Sequence, residues 1–320
     1  MRALRTLVLV GALLSSGCEV GATRVDSQGA AGLTALAGDY NNYGEVWAAR
    51  EAAKAGSGLG VPPLVRNTLR VASRSDDMLL WRMVQETEPQ HDARWLFRVA
   101  GDSLIPYRPL TDGARAAVAN ETADAFKFDA DEWAALEPCA LKRERRADGW
   151  VATADKAACS AMYPGLGADA ALLPLRFELS ADSLRVTTVA DQARGADAAT
   201  ISRRLRTFHG WQAINGGGPS ARPDNNDWHV RRDLVLHNGG SHIALRWRDQ
   251  QAAGYSIELA RLNYKESGAE VLRLAVIEDA TGRIVSYVWA DPGAQRIGLN
   301  LGWLQIGLEQ VGLAPEPRKR

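Results

Sequence analysis

Histidine, cysteine and acidic residues are the side chains whose spacing bears most directly on chemistry. Four of the five histidines fall in the second half of the chain, as His209, His229, His237 and His242. His237 and His242 flank a four-residue hairpin turn, a spacing that would let two imidazoles meet across the strands as transition-metal ligands. No third ligand accompanies them, so no metal is assigned. Asp224-Asn225-Asn226-Asp227 carries the oxygen ligands calcium takes, but its spacing fits no calcium loop and reads as turn chemistry. Gly56-Ser57-Gly58-Leu59-Gly60 has the glycines of a nucleotide turn, yet Val61-Pro62-Pro63 stands where a helix should open. Gly-x-Ser-x-Gly, His-Glu-x-x-His and a Walker lysine are all missing from the sequence. No self-sufficient catalytic constellation is visible.

The cysteines say more. Arg2 and Arg5 precede the apolar run 7–14, and Ser15-Ser16-Gly17-Cys18 follows. A basic start, a short apolar stretch and small residues before the cut describe an export signal over residues 1–17. The cysteine after Ser-Gly resembles a bacterial lipoprotein signal, with Cys18 lipidated as the mature N-terminus and residues 18–32 as a tether. The expectation is a cell-envelope protein, lipid-anchored on the periplasmic side of a bacterial membrane or in the periplasm. Export leaves Cys139 and Cys159 as an even pair where disulfides persist. They lack Cys-x-x-Cys or zinc-finger spacing, so a structural bridge is expected. Its loop of about 20 residues would contribute roughly 3 kcal/mol.

Composition limits the alternatives. Lys+Arg and Asp+Glu number 38 each, which argues against nucleic acid as a partner. No internal apolar run approaches the ~20 residues of a spanning helix. With 320 residues, 46% of them hydrophobic, two modules are expected. Short Val-, Leu- and aromatic-rich runs at 64–71, 78–85, 94–99, 104–107, 139–145, 150–153, 172–179 and 184–189 are bounded by Gly, Pro or Asp, as meandering antiparallel strands are. Short helices are expected at 33–36 and at 132–137, the latter with Asp129 or Asp131 near its N-cap. Asp148-Gly149 and Thr281-Gly282 mark hairpins. From 201 to 312 the alternation is cleaner: Trp228, Val230, Arg232, Leu234 and Leu236 share one face, and Tyr255-Ile257-Leu259, Leu272-Leu274-Val276 and Val285-Tyr287-Trp289 repeat the period of two. The chain reads as all-β, with a module over 33–195, a second antiparallel β module over 201–312 and a tail at 313–320. Successive hairpins without long crossovers favour a closed up-and-down barrel.

Three segments of the first module resemble the CpcT/CpeT-type chromophore (phycobilin) lyases. They are Leu36-Ala37-Gly38-Asp39-Tyr40-Asn41-Asn42; Leu136-Glu137-Pro138-Cys139-Ala140-Leu141 followed by Ala147-Asp148-Gly149-Trp150 and Cys159; and 177–184, Phe-Glu-Leu-Ser-Ala-Asp-Ser-Leu. The resemblance implies a calycin, lipocalin-like barrel that binds an open-chain tetrapyrrole and helps attach it to an acceptor thiol, an activity that needs no nucleophile of its own. It implies Arg94 and Gln85 as ligand-contacting residues, and Trp81 is grouped with them. Val84, Asp92 and Ala93 depart from the family's motifs beside these positions. The ligand class is a bilin, haem or similar flat apolar molecule, with no resident cofactor. Residues 201–312 have no counterpart in the resemblance. The competing expectation is a non-catalytic envelope protein whose barrel is filled by side chains and whose second module contacts a protein partner.

Overall fold

The structure is a computed structural model. It describes residues 37–311, apart from 59, 73–76, 88–89, 120–125, 127, 195–198, 223 and 265–266. The signal at 1–17, Cys18, the tether, the helix expected at 33–36 and the tail at 313–320 lie outside the described residues.

The chain is all-β. Its first part is a closed ten-stranded antiparallel barrel in which neighbours in sequence are neighbours in space. The strands are β1 (Gly38–Asn41), β2 (Leu64–Val71), β3 (Met78–Glu86), β4 (His91–Ala100), β5 (Ser103–Pro109), β7 (Leu141–Arg146), β8 (Gly149–Ala154), β9 (Pro174–Ser180), β10 (Ser183–Thr188) and β11 (Ile201–Arg204). A short extra strand, β6 (Trp133–Ala135), adds to β5 outside the ring. β11, at the start of the expected second module, pairs with both β10 and β1 and closes the barrel.

Period-two patterning decides what fills it. Leu79, Trp81 and Met83 of β3 turn inward, as do Ala93, Trp95 and Phe97 of β4. Trp81 and Phe97 meet Phe177 edge-to-face, with ring centroids 5.7 and 5.5 Å apart. Each such buried ring adds roughly 1.5–3 kcal/mol. They leave a cavity of about 20 Å³ among Leu69, Leu79, Leu104, Phe177 and Leu184. That is room for a water, not for a ring system.

The β7–β8 hairpin forms where Asp148-Gly149 was expected, although its turn residues are Ala147 and Asp148. Gly149 is required for closeness: a Cβ there would lie 1.8 Å from the Leu179 carbonyl oxygen. The helix expected at 132–137 does not form. Asp129 accepts from the Asp131 N–H (3.0 Å) and caps one 3-10 turn, Ala130–Glu132. Trp133–Ala135 then pairs with β5, and Pro138 biases the residue before it away from helix. Among the helices that lie where none was expected, the two longest are α1 (Tyr43–Lys54) and α2 (Asp112–Ala119). The disulfide joins Cys139, in the 3-10 turn Glu137–Cys139, to Cys159 in α3 (Lys156–Ser160), with Cα atoms 4.4 Å apart.

The second part is two four-stranded antiparallel sheets. One has the order β13-β12-β19-β18, from β12 (Thr207–Asn215), β13 (Trp228–His237), β18 (Arg296–Asn300) and β19 (Leu304–Gln310). The other has the order β14-β15-β16-β17, from β14 (Gly239–Arg246), β15 (Ala252–Asn263), β16 (Glu270–Glu278) and β17 (Arg283–Ala290). Leu234, Leu236, Ile306 and Leu308 of the first share one core with Ile257, Leu259, Leu272 and Leu274 of the second. The expected single face from Trp228 to Leu236 is broken. A register shift opposite Trp211 leaves Val230 exposed while Leu234 and Leu236 turn inward. Nor is 237–240 a hairpin turn. β13 pairs with β12 and β14 with β15, so the chain changes sheets at Asn238, and His237 and His242 do not pair across a ladder.

α1 welds the two parts by lying on the outer face of the β14–β17 sheet. The Tyr43 hydroxyl donates to Glu258 Oε2 (2.5 Å), and Arg273 Nη2 donates to Glu258 Oε1 (2.5 Å). The Arg273 guanidinium lies over the rings of Trp47 and Trp289. Gly240, at φ +83°, leaves the space that the Tyr43 ring takes; a Cβ there would sit 2.4 Å from it. Asn41 Nδ2 donates to the Gly239 carbonyl (2.8 Å), and Arg261 pairs with Asp182 (2.5 Å).

Candidate ligand-binding cleft

The barrel wall opens on one side. β4 pairs with β3 as far as Gln85↔His91, but its pairing with β5 ends at Leu96↔Tyr107. Two residues beyond, Pro109 has no N–H to extend a ladder. β5 continues instead with β6 on its other edge, from Tyr107↔Ala135 to Pro109↔Trp133. Between the parted strands lies a cleft of about 400 Å³. Asp92, Arg94 and Trp95 form one wall, Arg108 and Trp133 another, and Leu166, Asp169 and Leu172 a third. That third wall is the stretch of 3-10 turns that follows Cys159, so the disulfide fixes where it starts.

The charges in the cleft are partly self-satisfied. Asp92 accepts from Arg82 Nη2 (2.8 Å) and Arg94 Nη2 (2.9 Å). Burial acts to raise the Asp92 pKa, but these two guanidinium groups prevail and hold it below the usual carboxylate range. Arg108 Nη1 donates to the Gly165 carbonyl (3.2 Å). Arg115 faces Asp169 at 3.8 Å, both exposed, a pair of small energetic weight. Three arginines thus line the cleft against two aspartates, and indole edges supply its apolar surface. Volume, aromatic lining and a few placed charges are what a small-molecule site requires.

The sequence-derived residues separate here. Arg94 lines the cleft. Gln85 lies on the strand beside it but alternates with Arg82, so it shares the inward register of Trp81 and Met83. Arg94 and Asp92 belong to the outward register. Arg94 is opposite Arg82 and Gln85 is opposite His91; the structure does not bring the two together. Trp81 is 1% exposed inside the barrel, its Nε1 donating to Asn67 Oδ1 (3.1 Å), away from the cleft. Sequence reasoning missed Arg108, Arg115, Trp95 and Trp133. The available signal was Pro109, a ladder-breaking residue directly after an arginine. Among the described residues no group of three or more His, Cys, Asp or Glu side chains is placed to hold a metal ion.

Comparison of the chain with protein-family models, curated proteins and solved structures gave no match.

Proposed function

We propose that this protein binds a flat apolar molecule bearing a carboxylate, of the tetrapyrrole class, in the cleft between β4 and β5. The observation that carries the reading is the meeting of Arg94 and Arg108 with Trp95 and Trp133 around a volume of about 400 Å³. A planar guanidinium suits a carboxylate in two-point contact, and indole edges suit a conjugated body. The ligand sits in the wall rather than the lumen, since the lumen is filled. Transfer of such a ligand to an acceptor thiol is the chemistry that the resemblance to chromophore lyases adds. Export and lipid attachment at Cys18 complete the reading, supported by the apolar run 7–14 and by a disulfide suited to an oxidising compartment.

The test is an absorbance titration of the full chain with biliverdin and with haem. Arg94→Ala and Arg108→Ala should each weaken binding by about 10- to 150-fold, as loss of a charged hydrogen bond of roughly 1.5–3 kcal/mol requires. Absence of binding, or equal affinities for both variants and the native chain, rejects the reading. Two observations favour a second reading: the side-chain-filled barrel and the Asp92 bridge to Arg82 and Arg94 suit a non-catalytic envelope protein that contacts a partner.

A further inference from the structure

β7 carries charge on its inner face. Leu141 turns into the barrel core, so Arg143 and Arg145 follow in the same inward register toward the end of the barrel where β7 and β8 join. Trp150, directly opposite Arg145, and Ala152, opposite Arg143, share that side. Arg143 and Trp150 border the cavity of about 20 Å³, with Leu104, Phe177 and Leu184 beneath them. Both guanidinium groups lie over the Trp150 ring, Arg143 at 5.5 Å from its centroid and Arg145 at 5.7 Å.

Neither arginine is paired with a carboxylate among the described residues. Arg143 Nη2 donates to the Gly101 carbonyl, while its Nε is buried with no hydrogen-bond partner. Burial pushes the Arg143 pKa down; the Asp102 charge opposes this without forming an ion pair, since Asp102 accepts instead from Ser103 (3.0 Å) and Lys142 (3.3 Å). Arg145 is exposed, and the indole is its one recorded contact among the described residues. Glu144 stands between them on the outer register and pairs with Arg146 at 2.8 Å. Asp148, exposed at the hairpin tip, is the nearest carboxylate left over, and no ion pair joins it to either arginine.

A desolvated cation without an anion costs free energy, and two cations over one ring repel each other. The indole satisfies the faces of the two guanidinium groups and leaves their in-plane N–H donors, which are the groups an oxyanion takes. One guanidinium already matches a carboxylate bidentately. Two match a phosphate monoester, which carries about −1.5 to −2 charges at neutral pH and several acceptor oxygens.

We infer that Arg143 and Arg145, held on Trp150, form a site for a phosphate monoester at the rim of the barrel. β4 runs from the cleft at 91–95 to this rim at Ala100, so the two sites lie at opposite ends and the inference does not rest on the cleft. Isothermal titration of the full chain with inorganic phosphate at fixed chloride tests it. Sedimentation with phosphatidylcholine vesicles, with and without phosphatidic acid, separates a lipid-held monoester from a free one. The native chain should bind inorganic phosphate, or should bind vesicles containing phosphatidic acid above plain ones, which would assign the site to a lipid headgroup. Arg145→Ala should weaken that binding by about tenfold or more, as loss of a charge-assisted hydrogen bond does, and Arg145→Lys by less. Asp148→Asn should strengthen it by removing a nearby like charge, a gain that damage to the fold would not produce. If neither source of phosphate binds, if Arg145→Ala binds as the native chain does, or if binding is lost in Arg94→Ala and kept in Arg145→Ala, the inference is overturned.

Discussion

Replacing Glu258 with leucine probes the seam between barrel and sandwich at a buried ion pair. Its side chain is 11% exposed and that of its partner Arg273 is 5% exposed. Breaking a buried ion pair by removing one member costs about 3–5 kcal/mol, because the other charge is left uncompensated. Two effects modify that figure. Arg273 keeps the rings of Trp47 and Trp289 at 5.2 and 5.9 Å, which offsets about 1–2 kcal/mol. The Tyr43 hydroxyl loses its acceptor, which costs about 1–3 kcal/mol. Tyr43 does not adjust by ionising, since burial, the largest cause of its raised pKa, remains after the carboxylate is gone. The single substitution should therefore destabilise by roughly 3–5 kcal/mol. Removing both charges in Glu258→Leu/Arg273→Leu leaves only the hydroxyl unsatisfied, so the double variant should be more stable than Glu258→Leu alone. Urea unfolding followed by circular dichroism, run as a double-mutant cycle, reads both quantities. A single-variant loss below about 1 kcal/mol, or a coupling near zero, would refute the view that this cluster fastens the modules.

Two further predictions follow from the barrel and the sheet crossing. Cys139→Ala/Cys159→Ala should cost roughly 3 kcal/mol by the loop-entropy estimate, and a thiol count on unfolded, unreduced native chain should find neither Cys139 nor Cys159 free; two titratable thiols from this pair would reject the bridge. Burial, helped by the nearby Arg66 charge, lowers the His237 pKa from its ordinary 6.5. Above that value both folded and unfolded forms are neutral. Below it the unfolded chain takes up a proton that the folded one resists, so stability is lost as pH falls through the folded pKa. The urea midpoint should drop between pH 7.5 and 5.5 by more in the native chain than in His237→Gln; equal drops would discard the effect.

Much of the barrel was legible because its strands obey local rules. β2 runs from Leu64 to Val71 as its apolar run does, and β3, β8 and β9 differ from their sequence patterns by a residue or two at an end. Such segments are half-buried, so period-two alternation and turn residues specify them without knowledge of partners. The failures lie where a distant contact decides. α1 rests on β15 and β14, some two hundred residues away, and its Tyr43-Val46-Trp47 face serves that sheet rather than a local core. Residues 132–137 carry a helical composition, yet β5 offers Trp133 an edge and Pro138 ends any helix. The single face read from Trp228 to Leu236 failed for one bulge, since one extra residue reverses every side chain beyond it. Arg94 was reached from its motif position; Arg108 and the two indoles were not, because the parting of β4 from β5 is a property of the closed sheet.

That parting is the reason the proposed ligand is placed on the wall of this barrel. A ring of ten strands is wide enough to enclose a small ligand if its inward side chains are small. Here Tyr40, Trp81, Phe97 and Phe177 point inward, and about 20 Å³ remains. Enlarging the lumen would require truncating rings that contact one another, at about 3–5 kcal/mol for each large-to-alanine change. The wall offers a cheaper opening. Over 91–95 the edge of β4 that faces β5 has no strand partner among the described residues. Its backbone groups need water or a ligand to satisfy them. A ligand at the cleft can thus meet side-chain guanidinium groups and main-chain donors on one edge without disturbing the core. Packing and charge are thereby assigned to different surfaces of the same strand: Phe97 inward for packing, Asp92 and Arg94 outward for charge, with Trp95 lining both core and cleft. On that division, substitutions at Arg94 should act on affinity and leave the melting transition nearly in place, while substitutions at Phe97 should do the reverse.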